Sequence, residues 1–346
     1  MQVVVFGAGS LGSLLGGLLA RVHAVTLVGR DPHVSRIRTE GLEIETASGV
    51  DDPTVGSSLV VTPDATTDGT GLDADLAVAT VKAYDTDAAA RALATGSVDA
   101  ALPLSNGMGN AEALAAHLDC PVLGGTTSYG AVLREPGVVE YRGRGDVVVG
   151  PRDPADAALA DRVGAAFRAA DLNARVSDDV ESVLWEKLAV NAAINPTTAL
   201  ARVENGALGD EPGTDLVEPI AREVGATARA EGVTLSDEAL VDAVGKVVTA
   251  TAENESSMYA DVQAARRTEI DVINGYVVEQ TDQSVADIQA TFERRHRYVR
   301  YLVQEGITDA DELFALLADL QTDEAATVER LHQQRTDQRS GRVEGA

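Results

Sequence analysis

The sequence predicts an α/β domain built on a doubly wound sheet, followed by an all-helical domain. Up to about residue 150, short apolar runs alternate with helical segments, as in a parallel sheet that helices cover on both faces. From about residue 153, apolar positions repeat with the period of a helix. The 346 residues suffice for two domains, expected at 1–170 and 171–310, with a charged helical extension and polar tail at 311–346.

In the first domain, apolar runs without polar alternation predict strands that are buried on both faces. These runs are 2–6, 24–28, 76–81 and 101–104. Helices are expected at 13–21 and from Asp31-Pro32 to about residue 40, where Asp31 caps the helix and the proline opens it. Alternating residues predict one strand pair and one hairpin. The strand pair is 42–46 with 58–62, and the hairpin is 138–141 with 146–149.

Long periodic segments predict helices from residue 154 onward. They span 154–170, 178–193, 215–231, 236–251 and 256–280. Pro196 is expected to kink or end the second of these helices at Asn195, because proline lacks the N–H group that a helix interior needs.

The charge composition bounds the partners of the chain. With 28 basic and 55 acidic residues the formal net charge is −27, which excludes nucleic acid and anionic membrane surfaces as main partners. Only Lys82, Lys187 and Lys246 among the basic residues are lysines. This acidic, arginine-rich composition predicts a halophilic protein whose activity needs molar salt. An ordinary acidic cytosolic protein is the alternative.

Cysteine and histidine usage argues against a metal site. The single cysteine, Cys120, excludes an intrachain disulfide and a thiolate metal cluster, and the five histidines lack the spacing of metal ligands. No basic segment precedes the first apolar run, and no window holds about 18 uninterrupted apolar residues. We therefore expect a cytoplasmic protein with no metal and no transmembrane helix.

A glycine-rich loop follows the first strand. It has the G-x-G-x-x-G pattern between a strand and a helix, where backbone N–H groups and the helix N-terminus stabilise a pyrophosphate. Its predicted cofactor-binding residues are Gly7, Ala8, Gly9, Ser10, Leu11 and Gly12. The second strand leads to Arg30, which suits the 2′-phosphate of NADPH, whereas an acid there would suit NADH. Asp31 comes one residue late for that role, so NADPH is favoured and NADH stays open.

Polar residues follow two further strands and line one helical face. Lys82 and Asn106 each follow a predicted strand, at the sheet edge where ligands bind in open α/β folds. Lys187, Asn191 and Asn195 are spaced four apart, so they stack on one face of a largely apolar helix. Because asparagine is a poor helix former, a polar stripe that faces a cleft is the better explanation. Internal capping asparagines are the alternative.

Five motifs occur in order over about residues 1–280: GAGSLG, VKA, NGMGN, WEKLAVNAAINPTTAL and SSMYADVQAARRTEIDVINGY. Together they resemble the ketopantoate reductase (2-dehydropantoate 2-reductase) family. The resemblance implies a Rossmann-type N-terminal domain, an all-helical C-terminal domain and an active site in the cleft between them. It also implies NADPH-dependent reduction of a small 2-oxo acid, ketopantoate, to (R)-pantoate for pantothenate and coenzyme A biosynthesis. For the assembly of the chain, a homodimer stays open.

The same resemblance implies roles for individual residues. Lys187 would be the general acid that protonates the substrate carbonyl oxygen. Glu269 would hydrogen-bond to Lys187 or the substrate and would also lie at the cofactor. Lys82 and Asn106 would contact both cofactor and substrate. The substrate-binding residues implied in this way are Asn106, Asn191, Asn195, Ser257 and Lys82.

The resemblance ends after Tyr276, where the family usually carries a Pro-x-Asn element. A basic cluster at 294–300 follows instead, and a solvated helix face, an anion site and a subunit contact all stay open for it. Two other functions also stay open. One is a reductase of another small branched 2-oxo acid, which activity on a panel of such acids would reveal. The other is a non-catalytic NADPH-binding regulatory protein, which tight NADPH binding without turnover would favour.

Overall fold

The computed structural model of the chain describes three ranges, 1–50, 52–211 and 213–284. The expected helical extension at 311–346 and the basic cluster at 294–300 lie outside the described residues. Within the described ranges, no helix combines the length and the apolar character that crossing a membrane requires.

The chain divides into two compact units, 1–187 and 188–346. The division falls inside a single helix, Val180–Ala201. The limits expected from the sequence, 1–170 and 171–310, place the boundary before this helix. Helical periodicity does not reveal such a division, because the helix runs on through it.

Strands and helices alternate through the first unit, and the described part of the second unit is helical. The strands are β1 (Gln2–Phe6), β2 (Ala24–Val28), β3 (Leu42–Thr46), β4 (Ser58–Val61), β5 (Asp64–Thr66), β6 (Asp73–Ala74), β7 (Leu76–Ala79), β8 (Ser97–Val98), β9 (Ala101–Pro103), β10 (Gly124–Thr127), β11 (Ala131–Glu135), β12 (Val138–Tyr141), β13 (Val147–Gly150) and β14 (Ala174–Val176). The helices are α1 (Ser10–Leu19), α2 (His33–Glu40), α3 (Thr86–Leu93), α4 (Asn110–Ala115), α5 (Ala157–Ala169), α6 (Val180–Ala201), α7 (Gly213–Ala230), α8 (Asp237–Ala250), α9 (Ser257–Gln263) and α10 (Asn274–Ser284).

Five parallel strands form the central sheet in the order β5-β2-β1-β7-β9. β1 lies between β2 and β7, so that Val4 pairs with Thr26 on one side and with Ala77 on the other. Val3, Val4 and Val5 are all buried, as expected for a strand covered on both faces. The strand order reverses between β1 and β7, so the predicted doubly wound sheet is confirmed.

The hairpin expected from 138–141 and 146–149 is wrong. β12 pairs with β11 in antiparallel and with β3 in parallel orientation, whereas β13 pairs with β10 and β14 in another sheet. The tight connection is the Pro136-Gly137 turn between β11 and β12, where Gly137 has a left-handed φ of 83°. β11 carries Arg134 and Glu135 and is partly exposed, so its sequence did not reveal the strand that takes the place beside β12.

Helix α1 packs closely between two sheets because of its small residues. A Cβ atom added to Gly16 would lie 2.4 Å from Leu27 Cδ2 in the central sheet. A Cβ atom added to Gly17 would lie 2.9 Å from Ile44 Cδ1, on β3 of the four-stranded sheet β11-β12-β3-β4. Glycine therefore brings the helix near both sheets, and Leu14, Leu15 and Leu19 complete the core around it.

Helix α6 continues through Pro196 to Ala201, so of the expected kink or end at Asn195, the end is wrong. Proline cannot donate to the carbonyl four residues earlier, which here is that of Ala192. Asn274 supplies the missing donor, since its Nδ2 lies 3.2 Å from Ala192 O. A satisfied carbonyl removes the main cost of a proline inside the helix, and the helix therefore persists.

The single helix expected at 256–280 is also wrong. α9 ends at Gln263 and α10 begins at Asn274. Between them Ala265 has a left-handed φ of 52°, and Arg266 donates from its backbone N–H to Asp261 O and from Nε to Asp261 Oδ1, at 2.8 and 2.9 Å. These bonds turn the chain away from the axis of α9.

His33 joins three elements of the first unit. Its Nδ1 accepts a hydrogen bond of 2.9 Å from the backbone N–H of Gly137, at the turn between β11 and β12. Nε2 therefore carries the proton and donates to Ser13 Oγ of α1 at 2.9 Å. His33 is buried, and this burial lowers the pKa of its imidazole below the ordinary value.

We expect His33 to make the protein less stable below about pH 6.5, the ordinary histidine pKa. Below that pH the unfolded chain binds a proton that the folded imidazole does not, so the free energy of unfolding falls as pH drops towards the lowered pKa. In His33→Gln the amide can serve both partners without titrating. Denaturant unfolding of both proteins at several pH values should show a smaller slope for the variant. Equal slopes would contradict the expectation. Titrating carboxylates contribute to the slope in both proteins, so their contribution cancels in the comparison.

Candidate functional site

The loop after β1 is held by close backbone contacts. Gly7 and Ala8 both donate their backbone N–H to Val28 O of β2, at 2.9 and 2.8 Å. Gly7 has a left-handed φ of 114°, and a Cβ atom there would lie 2.6 Å from Val81 N. A Cβ atom on Gly12 would lie 2.2 Å from Gly7 O. Glycine at these two positions therefore lets the end of β1, the start of α1 and the end of β7 approach one another.

The surroundings of Gly9 fit a dinucleotide pyrophosphate. A Cβ atom added to Gly9 would meet no atom of the described residues within 4 Å, so they leave this face of the loop open. Gly9 is the N-cap residue of α1, and no side chain among the described residues caps the helix. The N–H groups of Ser10, Leu11 and Gly12 form its first turn, where a helix presents unsatisfied donors and a partial positive charge. These groups match a phosphate in charge and hydrogen bonding.

Arg30 and Asp31 follow β2 and have separate partners. Asp31 Oδ1 accepts hydrogen bonds from the backbone N–H and the Oγ of Ser35, at 3.0 and 2.6 Å, so Asp31 stabilises the first turn of α2. The expected positions are wrong by one residue, because Pro32 is the N-cap residue and the helix begins at His33. Arg30 is 89% exposed, and its Nη2 lies 3.3 Å from Asp85 Oδ2. An exposed ion pair of this kind contributes little energy, so a phosphate could displace Asp85 at small cost.

Lys82 and Asn106 lie at neighbouring strand ends. Each follows its strand within three residues, and β7 pairs with β9 up to Ala79 and Pro103. Both side chains are partly buried. Because β7 also borders β1, the glycine loop, Lys82 and Asn106 meet at one edge of the central sheet, as the sequence predicted.

Hydrogen bonds fix the two loops that carry Lys82 and Asn106. Ser105 Oγ donates to Val81 O at 2.6 Å, which joins the loop after β9 to the loop after β7. Asn110 is buried, donates from Nδ2 to Asn106 O at 3.1 Å and accepts from Thr86 Oγ1 at 3.0 Å. The sequence did not single out Asn110, although the second asparagine of NGMGN was the available signal.

Helix α6 carries the predicted proton donor. It begins after Asp179, whose Oδ1 accepts from the N–H of Ser182 at 3.1 Å, an N-terminal cap. Lys187 lies two turns into the helix and is half-buried, and burial lowers the pKa of its ammonium group below the ordinary lysine value. Asn191 and Asn195 follow at intervals of four on the same helical face, and both are buried.

In the second unit, buried polar side chains tie α9 to α6. Ser256 caps α9 by accepting from Tyr259 N at 3.1 Å. The same hydroxyl accepts from Thr198 Oγ1 at 2.7 Å and lies 3.4 Å from Asn195 O. Ser257, the predicted substrate residue, is the first residue of α9 and is exposed. The sequence missed Ser256 and Thr198, because their contacts join segments that lie far apart in the chain.

Glu269 lies in the segment between α9 and α10. Its side chain is buried, and its carbonyl accepts from the N–H groups of Val272 and Ile273, both at 3.2 Å. A buried carboxylate must be compensated by hydrogen bonds or charge, which makes this residue a candidate for function. Asn191, Asn195, Ser257 and Glu269 thus all belong to the second unit, and their roles stay predictions.

Comparison with known proteins identifies close relatives. Residues 3–154 match the family described as Ketopantoate reductase PanE/ApbA, and residues 179–291 match its C-terminal domain. A 2-dehydropantoate 2-reductase of Halobacterium salinarum is 42% identical over 294 residues, which cover 83% of this chain and 94% of that relative. The crystal structure of a PanE/ApbA family ketopantoate reductase from Ralstonia eutropha JMP134 has a TM-score of 0.75 at 31% identity and covers 88% of this chain and 99% of its own.

A ternary structure of D-mandelate dehydrogenase with NADH and anilino(oxo)acetate is similar in fold. Its TM-score is 0.78, with coverage of 88% of this chain and 99% of that chain. The sequences are 22% identical, so this likeness concerns the fold alone.

We expect Gly9→Ala to weaken dinucleotide binding without harming the fold. Within the part of the chain that the structure describes, the added methyl group meets no atom within 4 Å, but it occupies the face where a pyrophosphate would approach the backbone. The dissociation constant of NADPH, measured by fluorescence titration, should rise at least about tenfold, or roughly 1.4 kcal/mol. The melting temperature should stay near that of the wild type. Wild-type affinity in the variant would exclude this loop as the pyrophosphate site.

Proposed function

This chain belongs to the ketopantoate reductase family, and we propose that it reduces 2-dehydropantoate to (R)-pantoate with NADPH. The observation that carries the proposal is Lys187, a half-buried lysine of lowered pKa on the helical face of two buried asparagines. Pantoate then serves pantothenate and coenzyme A biosynthesis. We place the reaction in the cytoplasm, which the single Cys120 supports because it gives no intrachain disulfide.

NADPH, when bound, supplies a hydride to the substrate carbonyl carbon. The first turn of α1 would hold its pyrophosphate and Arg30 its 2′-phosphate. We assign Lys82 and Asn106 to the cofactor and the substrate, because both follow strands at the sheet edge that carries the glycine loop. Their role is to align the two reactants, which lowers the entropic part of the barrier.

Lys187 is the proposed proton donor. Reduction of a carbonyl places negative charge on its oxygen, and an ammonium group there both stabilises this charge and delivers the proton. Because its pKa is lowered, it lies closer to neutral pH than that of an ordinary lysine. Proton transfer is most efficient when the pKa of the acid is near the working pH. We assign Asn191, Asn195 and Ser257 to the hydroxyl and carboxylate of the substrate, and Glu269 to the orientation of the proton donor and the substrate at the cofactor.

Replacing Lys187 by alanine tests both function and mechanism. We expect ketopantoate-dependent oxidation of NADPH by the wild type, and a kcat lower by at least ~100-fold in Lys187→Ala, since a general acid contributes at least that much. Lys246→Ala, the same change at an exposed lysine of α8, should keep the wild-type rate. Repeating the assay from dilute buffer to molar KCl tests the halophilic hypothesis. Full activity in dilute buffer would count against that hypothesis.

Other outcomes of this assay identify the alternatives. If the wild type binds NADPH and turns over only other branched 2-oxo acids, the substrate is one of those acids and not ketopantoate. Binding without any turnover would favour the regulatory function. An unchanged kcat in Lys187→Ala would refute the role of the lysine. We propose a homodimer, and light scattering of the active protein tests this assembly.

Arg30 should decide the preference for NADPH over NADH. Arg30→Ala removes the proposed partner of the 2′-phosphate, and loss of hydrogen bonds to a charged group should raise the dissociation constant of NADPH by about 10- to 100-fold. NADH, which lacks this phosphate, should bind as before. Arg38→Ala removes an exposed arginine of α2 and serves as the control. Equal loss of affinity for both cofactors would contradict the assignment.

A further inference from the structure

The first residue of α6 lies against two glycines of the sheet β10-β13-β14. Val180 is only 2% exposed. A Cβ atom added to Gly124 of β10 would lie 2.8 Å from Val180 Cγ1 and 3.0 Å from Cγ2. A Cβ atom added to Gly150 of β13 would lie 2.5 Å from Val180 Cβ. The helix therefore approaches the sheet more closely than any residue other than glycine at these positions permits.

Polar contacts reinforce this attachment. Arg152 follows β13, and its Nε lies 3.6 Å from Glu181 Oε1 in the first turn of α6. The same guanidinium group pairs with Glu112 of α4. Asp179 caps the helix at the same point. The beginning of α6 is thus held by burial, charge and a cap within the first unit.

Lys187 lies on the face of α6 that begins at Val180. Seven residues separate the two, which is nearly two full turns, or about 10 Å along the axis. Residues seven apart in a helix project in almost the same direction. A displacement of Val180 away from the sheet would therefore move Lys187 in the same direction.

We infer that the contact of Val180 with Gly124 and Gly150 positions Lys187 for proton transfer. This inference rests on the proposed function of Lys187. The contact fixes how deeply the lysine lies, and Val180, Gly124 and Gly150 are not among the residues proposed to hold the cofactor. Val180, Gly124 and Gly150 are accordingly positioning residues for the reaction.

Adding one methyl group at residue 124 disturbs this position. Carbon atoms in contact prefer separations of about 3.5–4.0 Å, so the start of α6 would have to move by roughly 0.5–1 Å. A misplacement of about 1 Å far from the chemistry can cost about 100-fold in rate. Because Lys187 is needed in the transition state, kcat and kcat/KM should fall together while NADPH affinity stays unchanged.

The experiment compares Gly124→Ala with its rescue. Gly124→Ala should lower kcat about tenfold or more. Adding Val180→Ala removes both γ-methyl groups that clash, so the double variant should regain most of the rate. Gly245→Ala places the same methyl group in α8, where no other described residue lies within 4 Å of it, and it should keep the wild-type kcat. NADPH titration and melting temperatures verify that each variant is folded.

The pH profile separates mispositioning from general loss of structure. A general acid must be protonated, so kcat/KM falls as pH rises through the pKa of Lys187. Burial lowers that pKa in the wild type. In Gly124→Ala the lysine moves towards water, so the alkaline limb should shift to higher pH, and the double variant should restore it. Lowered stability alone would leave the limb in place.

Several results would overturn the inference. They are a folded Gly124→Ala with the kcat and alkaline limb of the wild type, and a double variant as slow as the single one. If Gly124→Ala does not fold, Val180→Ala takes its place: it should be slow because α6 loses its contact, and adding Gly124→Ala should refill the gap and restore the rate. Equal rates of those two variants would refute the inference. A folded wild type that never reduces ketopantoate would instead refute the proposed function, and the inference with it.

Discussion

The rest of the structure depends on the close backbone contact at the reversal of strand order. Val28 O of β2 accepts from the two N–H groups that follow β1, and Thr80 Oγ1 donates to Gly7 O at 3.0 Å. Three strands therefore share one junction. Arg30 and Lys82 each follow this junction by two residues, so the same contact places both proposed cofactor contacts. A side chain at Gly7 would separate the strands and lose both together.

Helix α6 is continuous although it contains two asparagines and a proline. Asparagine and proline both weaken helices, yet the backbone around them is satisfied from outside. Asn274 donates to the carbonyl that Pro196 leaves without its usual donor, and the hydroxyl of Ser256, which caps α9, lies 3.4 Å from Asn195 O. The helix thus owes its persistence to tertiary contacts, and these contacts place the starts of α9 and α10 along the segment that carries Asn195.

The fold and the site differ in how far sequence predicts them. The central sheet follows from apolar runs, because strands buried on both faces must be apolar. β5 has the sequence Asp-Ala-Thr and β11 is partly exposed, so neither has this signature. The loops of Gly7 and Lys82 were predictable because strand ends define the edge of a sheet.

Contacts between distant segments were not predictable in the same way. The bonds of Ser256 to Thr198 and of Asn274 to Ala192 depend on tertiary structure. Local sequence shows only a serine that can cap a helix and an asparagine near a helix start. The contact of Val180 with Gly124 was unpredictable for the same reason, because nothing in the sequence indicates that this valine and this strand glycine pack together. The sequence shows which residue types are present, but the fold determines which of these residues contact one another.

The rarity of lysine in this chain also supports the proposed role of Lys187 as proton donor. Three of the 28 basic residues are lysines, so this composition uses arginine for nearly every positive charge. Arginine stays protonated at any pH at which proteins function, so it can stabilise an alkoxide but cannot readily give up a proton. Lysine can, once burial lowers its pKa, and burial does so at Lys187. Of the two long cationic side chains, only lysine therefore suits the proposed proton donor, and we infer that the packing of α6 on the sheet β10-β13-β14 keeps Lys187 partly out of water.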